Sequence, residues 1–213
     1  MNTPNANMND TDAQIYLASR SPRRRALLAQ IGVRFAVLEA HTDETRRPGE
    51  HPEDYVQRLA LEKARRARAA LSPDDQRPVL GADTAVVVGE RILGKPETLD
   101  ESLGMMRVLS GRSHRVLTGI ALIAGDGERT DLSESRVTFR SVDEEEALRY
   151  WCTGEPRDKA GGYGIQGLGA LFVASLSGSY SGVMGLPLFE TGRLLGQVGI
   201  QVIPQQGPDE VTR

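Results

Sequence analysis

Residues 79–88, VLGADTAVVV, constrain the fold of this 213-residue chain more than any other stretch. The run is apolar almost throughout, which predicts a central strand covered on both faces. Two residues interrupt it. Gly81 would let another backbone approach closely. Asp83 places a carboxylate where burial is costly unless it is paired, metal-bound or facing a cleft. Asp83 is therefore the first candidate for chemistry, with a satisfied structural acceptor as the plainer alternative.

Residues 15–32, IYLASRSPRRRALLAQIG, read as a short strand, a tight loop and a helix. Ser21 is a natural N-cap and Pro22 a natural first helical residue. Leu27, Leu28 and Ile31 form one apolar face, and Gly32 is a stop. Arg23 and Arg24 then fall in the first helical turn, beside unpaired N–H groups and the positive end of the dipole. Arginines there oppose the dipole, whereas an anion such as a phosphate chain would be held by both. A solvated basic turn is the competing reading, and Arg25 reads as surface.

The remaining chain predicts alternating elements. Residues 34–38 form a short strand, followed by a polar loop carrying Asp43 and Glu44, which are solvated acids or metal ligands. Residues 52–71 form a helix with apolar face Val56, Leu59, Ala60, Ala64 and Ala67. Lys63 falls on that inward face, four residues past Leu59. Lys95 sits between Gly94 and Pro96, where packing does not call for a lysine. Thr98 or Asp100 caps a helix with Leu103, Met106 and Leu109 inward. Residues 113–123 and 129–139 pair as a hairpin across a Gly-Asp-Gly turn. Ser141 and Glu144 read as a capping box opening a helix over 142–153, with Leu148 and Trp151 as core anchors. Residues 154–169, GEPRDKAGGYGIQGLG, are too glycine-rich for a regular element. They read as an irregular loop lining a pocket, with Lys159 and Gln166 as its candidate side chains. A strand over 170–176, a last helix from Val183 to about Leu195 and a strand over 200–203 complete the expectation. Residues 1–13 read as a disordered lead and 204–213 as a flexible tail.

Composition narrows the function classes. Net charge is -3, with 39% hydrophobic and 26% charged residues, which disfavours long nucleic acid and acidic membranes as partners. The single cysteine, Cys152, excludes an internal disulfide and suits a reducing compartment. No apolar run reaches the ~18 residues of a membrane span, and the polar N-terminus is not a secretory signal. The chain reads as soluble and cytoplasmic. One Cys and three scattered His residues give no zinc spacing, and neither a Walker loop nor a dinucleotide fingerprint is present. What remains is a set of cations around the strand carboxylate and the loop acids. Water attack on a polyphosphate needs that combination: cations offset phosphate charge, and carboxylates hold a divalent metal or take a proton.

These residues resemble the Maf family of nucleoside triphosphate pyrophosphatases. The resemblance rests on LASRSPRR at 17–24, EKA at 62–64, GADT at 81–84, GKP at 94–96, LSG and a following His at 109–114, DKAGGYGIQG at 158–167 and GLP at 185–187. It implies an α/β fold: a mixed, twisted sheet flanked by helices, similar to inosine triphosphatases, as one two-lobed catalytic domain over 14–203 with a central cleft. It also implies cleavage of a nucleoside triphosphate to monophosphate and diphosphate with a divalent metal, magnesium or manganese, clearing non-standard or excess pyrimidine nucleotides. A homodimer is compatible with the resemblance. Asp83 matches the family's proton acceptor. Arg23, Thr84 and Gln166 match the specificity residues of the dTTP and UTP subgroup, whereas an aromatic in place of Arg23 would mark 7-methyl-GTP pyrophosphatases. Ser19, Arg24, Lys63, Lys95 and Lys159 are then expected at the phosphates, and Glu44, with Asp83, at the metal. Arg20 departs from the family pattern, in which a small residue is common. The family's septum-formation phenotype keeps a nucleotide-binding cell-division regulator as the alternative.

Overall fold

The computed structural model describes residues 12–125 and 127–203. Its elements are β1 (Ile15–Leu17), α1 (Pro22–Gln30), β2 (Phe35–Val37), α2 (Pro52–Ala69), β3 (Val79–Val88), β4 (Arg91–Leu93) and α3 (Leu99–Leu109). They continue with β5 (Ser113–Ala124), β6 (Gly127–Phe139), α4 (Glu144–Cys152), three short 3-10 turns between residues 155 and 172, β7 (Val173–Ser177), α5 (Tyr180–Met184) and α6 (Leu188–Gln197). The seven strands make one mixed sheet in the order β2-β1-β3-β5-β6-β7, with β4 paired to the far end of β3. The parallel part joins β1 to β2 and β3, and the other pairings are antiparallel.

β3 is the central strand that its apolar run predicts. Leu80 and Ala82 pack on one face with Leu27 and Leu28 of α1 and Leu194 and Leu195 of α6. Val79 packs on the other with Ala60, Ala64 and Ala67 of α2, and Ala85 and Val87 join Val56 there. All five apolar positions expected on α2 are fully buried. The helix lies unusually close to the sheet. A Cβ on Gly81 would stand 2.2 Å from the Ala60 carbonyl oxygen, and one on Gly119 2.5 Å from that of Val56. Small residues on the helix and glycines on two strands bring the backbones together.

Several local expectations are corrected. Asp143, not Ser141, caps α4, accepting from the Glu146 N–H. Val142 is held outside the helix because its N–H and C=O both bond the Ser110 hydroxyl, at 2.7 and 3.0 Å. The inward residues of α4 are Ala147 and Tyr150. Leu148 is 41% exposed, and Trp151 is half-buried with the Arg157 guanidinium over its ring. The expected last helix is two, because Gly185 adopts φ 116° and ends α5, and Pro187 caps α6. β7 begins at Val173 because residues 168–172 coil into a 3-10 turn. Residues 200–203 form no strand, and Ile200 and Val202 pack as irregular chain against the α1 and α6 side of the core. The last two residues of the expected lead have tertiary partners: the Asp12 carbonyl accepts from Arg34 Nε at 3.1 Å, and Ala13 is buried. Residues 1–11 and the tail at 204–213 lie outside the described residues.

Candidate active site

Asp83 projects from β3 toward α2, on the strand face of Gly81. It is 7% exposed and receives Lys63 Nζ on Oδ1 at 2.6 Å. The same ammonium donates to Glu44 Oε1 at 2.7 Å, so one lysine joins the strand carboxylate to the loop carboxylate. Burial pushes the Asp83 carboxyl above its ordinary range, against the pull of Lys63 and Arg24. For Glu44 burial acts the same way, but the Lys63 hydrogen bond and charge, with Lys95 and Arg24, outweigh it and hold that carboxyl low.

Arg24 approaches from the start of α1, where Ser21 accepts its backbone N–H at 3.4 Å. Its guanidinium is fixed on three sides: Nε donates to the Gly185 carbonyl at 2.7 Å, and the terminal nitrogens to Ser19 Oγ and Thr84 Oγ1, each at 3.2 Å. Three of its five N–H donors are so used, and two remain. Thr84 lies 2.9 Å from Thr118 Oγ1, which itself donates to the Gly182 carbonyl at 2.8 Å. Thr84 therefore donates to Thr118 and accepts from Arg24, which makes it a support for the arginine. Burial lowers the Arg24 pKa while Asp83 opposes the shift.

The glycine-rich segment closes the other side. Its 3-10 turns are anchored by Ile165, which packs between two core clusters, so the segment is no linker. The Gly161 N–H donates to the Gly94 carbonyl at 2.9 Å, tying it to the loop that carries Lys95. Lys159 Nζ bonds the Glu155 carbonyl at 2.8 Å and Asp158 Oδ1 at 2.6 Å. Arg23, Lys95 and Gln166 make no side-chain hydrogen bond to another described residue.

Ten of the residues singled out in the sequence line one cavity of about 990 Å³: Ser19, Arg23, Arg24, Glu44, Lys63, Asp83, Thr84, Lys95, Lys159 and Gln166; Asp43 does not line it and is exposed, accepting from the Thr45 N–H at 2.9 Å. The ten come from six separate stretches of chain. Arg25 is exposed, as expected.

The chain matches the Maf-like protein family over residues 14–198. It belongs to the Maf family. A protein named dTTP/UTP pyrophosphatase from Alkalilimnicola ehrlichii is 55% identical over 189 residues, covering 87% of this chain and 93% of that one. One of the same name from Saccharophagus degradans is 50% identical over 203 residues, covering 95% and 97%. The solved Ham1 protein of Staphylococcus aureus gives a TM-score of 0.39 at 14% identity, covering 59% of this chain and 71% of that one.

The cavity of this Maf protein is also lined by polar residues that the sequence motifs do not single out, among them Tyr55, Asp158 and Glu155. Tyr55 lines it from α2 and donates to the Glu44 carbonyl at 3.0 Å. Its hydroxyl is pushed up to about 12 by burial and by the Asp83 and Glu44 charges. The signal was available, since positions 55, 59 and 63 recur every four residues on one helix face. Asp158 sits beside Lys159, and Glu155 accepts backbone N–H groups of the glycine-rich segment. Nothing in the spacing of Glu155 foretells those partners.

A divalent cation suits the two carboxylates that meet at Lys63, because they already converge on one positive charge. Magnesium accepts one or two carboxylates when waters and substrate phosphates supply its other ligands. Among the described residues no group of three or more His, Cys, Asp or Glu could hold a metal by itself. Nor is any helix among them long and apolar enough to cross a membrane.

Proposed function

We propose that this protein is a nucleoside triphosphate pyrophosphatase that cleaves dTTP and UTP to monophosphate and diphosphate. The observation that carries the reading is a buried carboxylate, Asp83, opening onto a cavity that Arg23, Arg24, Lys63, Lys95 and Lys159 also line. A site built only to bind phosphates gains nothing from a carboxylate at its floor, because it repels the ligand. A site that must take a proton from water needs one.

In this reading the phosphate chain lies against Arg24, Lys95 and Lys159, with Ser19 and the start of α1 beside it. Asp83 accepts a proton from a water whose oxygen attacks the α-phosphorus. A new P–O bond forms, the bond to the bridging oxygen of the β-phosphate breaks, and its electron pair leaves with diphosphate. The raised pKa of Asp83 suits a base, since a very acidic carboxylate accepts a proton poorly. Lys63 holds the Asp83 carboxylate in place and adds positive charge close to the α-phosphate. Glu44 and Asp83 would hold magnesium or manganese, whose chemistry there is to neutralise charge developing on the phosphates.

Gln166 carries a donor and an acceptor on one amide, which matches the N3–H and C4 carbonyl of uracil and thymine. Arg23, half-buried and lining the same cavity as Gln166, would meet base or sugar. Thr84 contributes through Arg24.

The test is a substrate panel of dTTP, UTP, CTP, GTP and 7-methyl-GTP with magnesium or manganese, read as monophosphate and diphosphate. Diphosphate from dTTP and UTP is expected. Binding without product would make the protein a nucleotide-binding regulator, and preference for 7-methyl-GTP would overturn the substrate assignment.

A further inference from the structure

The glycine-rich segment is organised by one carboxylate. Glu155 Oε1 accepts from the Tyr150 hydroxyl at 2.8 Å and from the Gly169 N–H at 3.0 Å, and Oε2 accepts from the Leu168 N–H at 2.8 Å. The Tyr150 oxygen in turn accepts from the Gly164 N–H at 3.0 Å. The Glu155 backbone carbonyl takes Lys159 Nζ. Gln166 thus lies between a pinned N–H two residues before it and pinned N–H groups two and three residues after it. The glycines follow from this wrapping. A Cβ on Gly167 would stand 2.3 Å from Glu155 Oε2, one on Gly164 2.9 Å from Oε1, and one on Gly169 2.7 Å from the Tyr150 hydroxyl.

We propose that Glu155 and Tyr150 are the positioning pair that sets base selectivity, acting through the loop that carries Gln166. Neither residue needs to touch the base. Tyr150 comes from α4 and is buried, with its ring edge-on to Phe172 at 4.9 Å, so the loop is referenced to the core. Tyr150 and two backbone N–H groups converge on the two oxygens of Glu155. A carboxylate can accept from all of them, whereas an amide would turn an NH₂ toward a donor. The link to selectivity is geometric. Thymine and uracil offer a carbonyl at C4, and cytosine offers an amino group there. An amide held in one orientation distinguishes them, and an amide on a slack loop turns over and accepts both.

This proposal rests on the reading that Gln166 meets the base, so the experiment separates the two. The variants Gln166→Ala, Glu155→Gln and Tyr150→Phe are assayed for kcat/KM on dTTP and dCTP, which differ in the base alone. The readout is the ratio of the two values. A variant that only lowers the folded fraction reduces both equally and leaves the ratio alone. Glu155→Gln is expected to lower the ratio about tenfold, equivalent to ~1.4 kcal/mol. Tyr150→Phe, which keeps the ring packing, is expected to lower it in the same direction and by less. In the double variant Glu155→Gln/Gln166→Ala the loss should not exceed that of Gln166→Ala alone. If Gln166→Ala moves the ratio but Glu155→Gln and Tyr150→Phe do not, the positioning role is wrong. If Gln166→Ala leaves the ratio unchanged, the base-reading role of Gln166 is wrong and the proposal falls with it.

Discussion

Gly81→Ala tests how the fold delivers Lys63 to Asp83. The new Cβ would stand 2.2 Å from the Ala60 carbonyl oxygen, 2.9 Å from the Ala64 nitrogen and 3.1 Å from the Ala64 Cβ. The first two obstacles are backbone, so no rotamer change relieves them. Restoring an ordinary contact requires α2 and β3 to separate by about 1 Å. A gap of that size forfeits roughly a quarter to a half of the dispersion energy at each contact it opens. Ala60, Ala64 and Val79 sit at that contact, all fully buried. Overpacking of this kind costs about 1–3 kcal/mol, and with backbone on both sides the upper figure is expected. For a chain of this length ~3 kcal/mol corresponds to a fall in Tm of roughly 6–12 °C. The same separation would lengthen the Lys63–Asp83 hydrogen bond of 2.6 Å past the usual limit of about 3.2 Å. Activity should therefore fall along with stability. The assays are urea unfolding, thermal melting and diphosphate release at a temperature where the variant is folded. Gly104→Ala on α3 is the control, because nothing lies within 4 Å of its would-be Cβ. Replacing a helical glycine there should stabilise by roughly 0.5–1 kcal/mol. A Gly81→Ala protein with wild-type midpoint and turnover would refute the close-approach account.

Asp83→Asn should fold and lose about 10²–10⁴ in kcat, checked by diphosphate release alongside circular dichroism; turnover near wild type would remove Asp83 from the role of base. Lys63→Met should move the acid limb of the kcat/KM profile to higher pH. Burial raises the Asp83 pKa and Lys63 lowers it, so deleting the ammonium raises it further, and the rate falls earlier as pH drops; an unmoved limb contradicts the pairing. His114 gives a stability prediction. Burial pushes its pKa down to about 4 from 6.5, and its Nε2 lies 2.8 Å from the Tyr163 hydroxyl. A depressed folded pKa means full stability above 6.5, lost as pH falls toward 4. At pH 5 that loss is about 2 kcal/mol, read as a lower urea midpoint than at pH 7, and His114→Phe should remove this part of the pH dependence.

What could be read from sequence follows the range of the interactions involved. The buried face of α2 was legible because helical period and burial coincide over 18 residues, and β3 because its run is long and apolar. The start of α4 differs from its local sequence signal because of a distant contact. Ser141 and Glu144 have capping-box spacing, but the Ser110 hydroxyl, more than 30 residues away, holds Val142 outside the helix and leaves capping to Asp143. The site divides in the same way. Each cation is legible singly: Arg23 and Arg24 in a first helical turn, Lys63 at an inward helical position, Lys95 where packing gives a lysine no purpose, and Lys159 in a glycine-rich stretch. The pairings are tertiary: Lys63 with Asp83 spans 20 residues, and Arg24 with Gly185 spans 161. Thr84 shows what this hides. Its position in the motif suggests ligand contact, and its hydroxyl also donates to Thr118 and accepts from Arg24, partners the motif does not name. Glu155 is the extreme case, because besides Tyr150 its partners are backbone N–H groups, which leave no mark on residue identity. Its trace in the sequence is indirect. Gly164, Gly167 and Gly169 are glycines because a carboxylate and a phenol occupy the space their side chains would need. A glycine-rich stretch that also carries buried Tyr163 and core-packed Ile165 therefore signals a loop wrapped on a fixed group, and the acid that opens it is the place to look for that group.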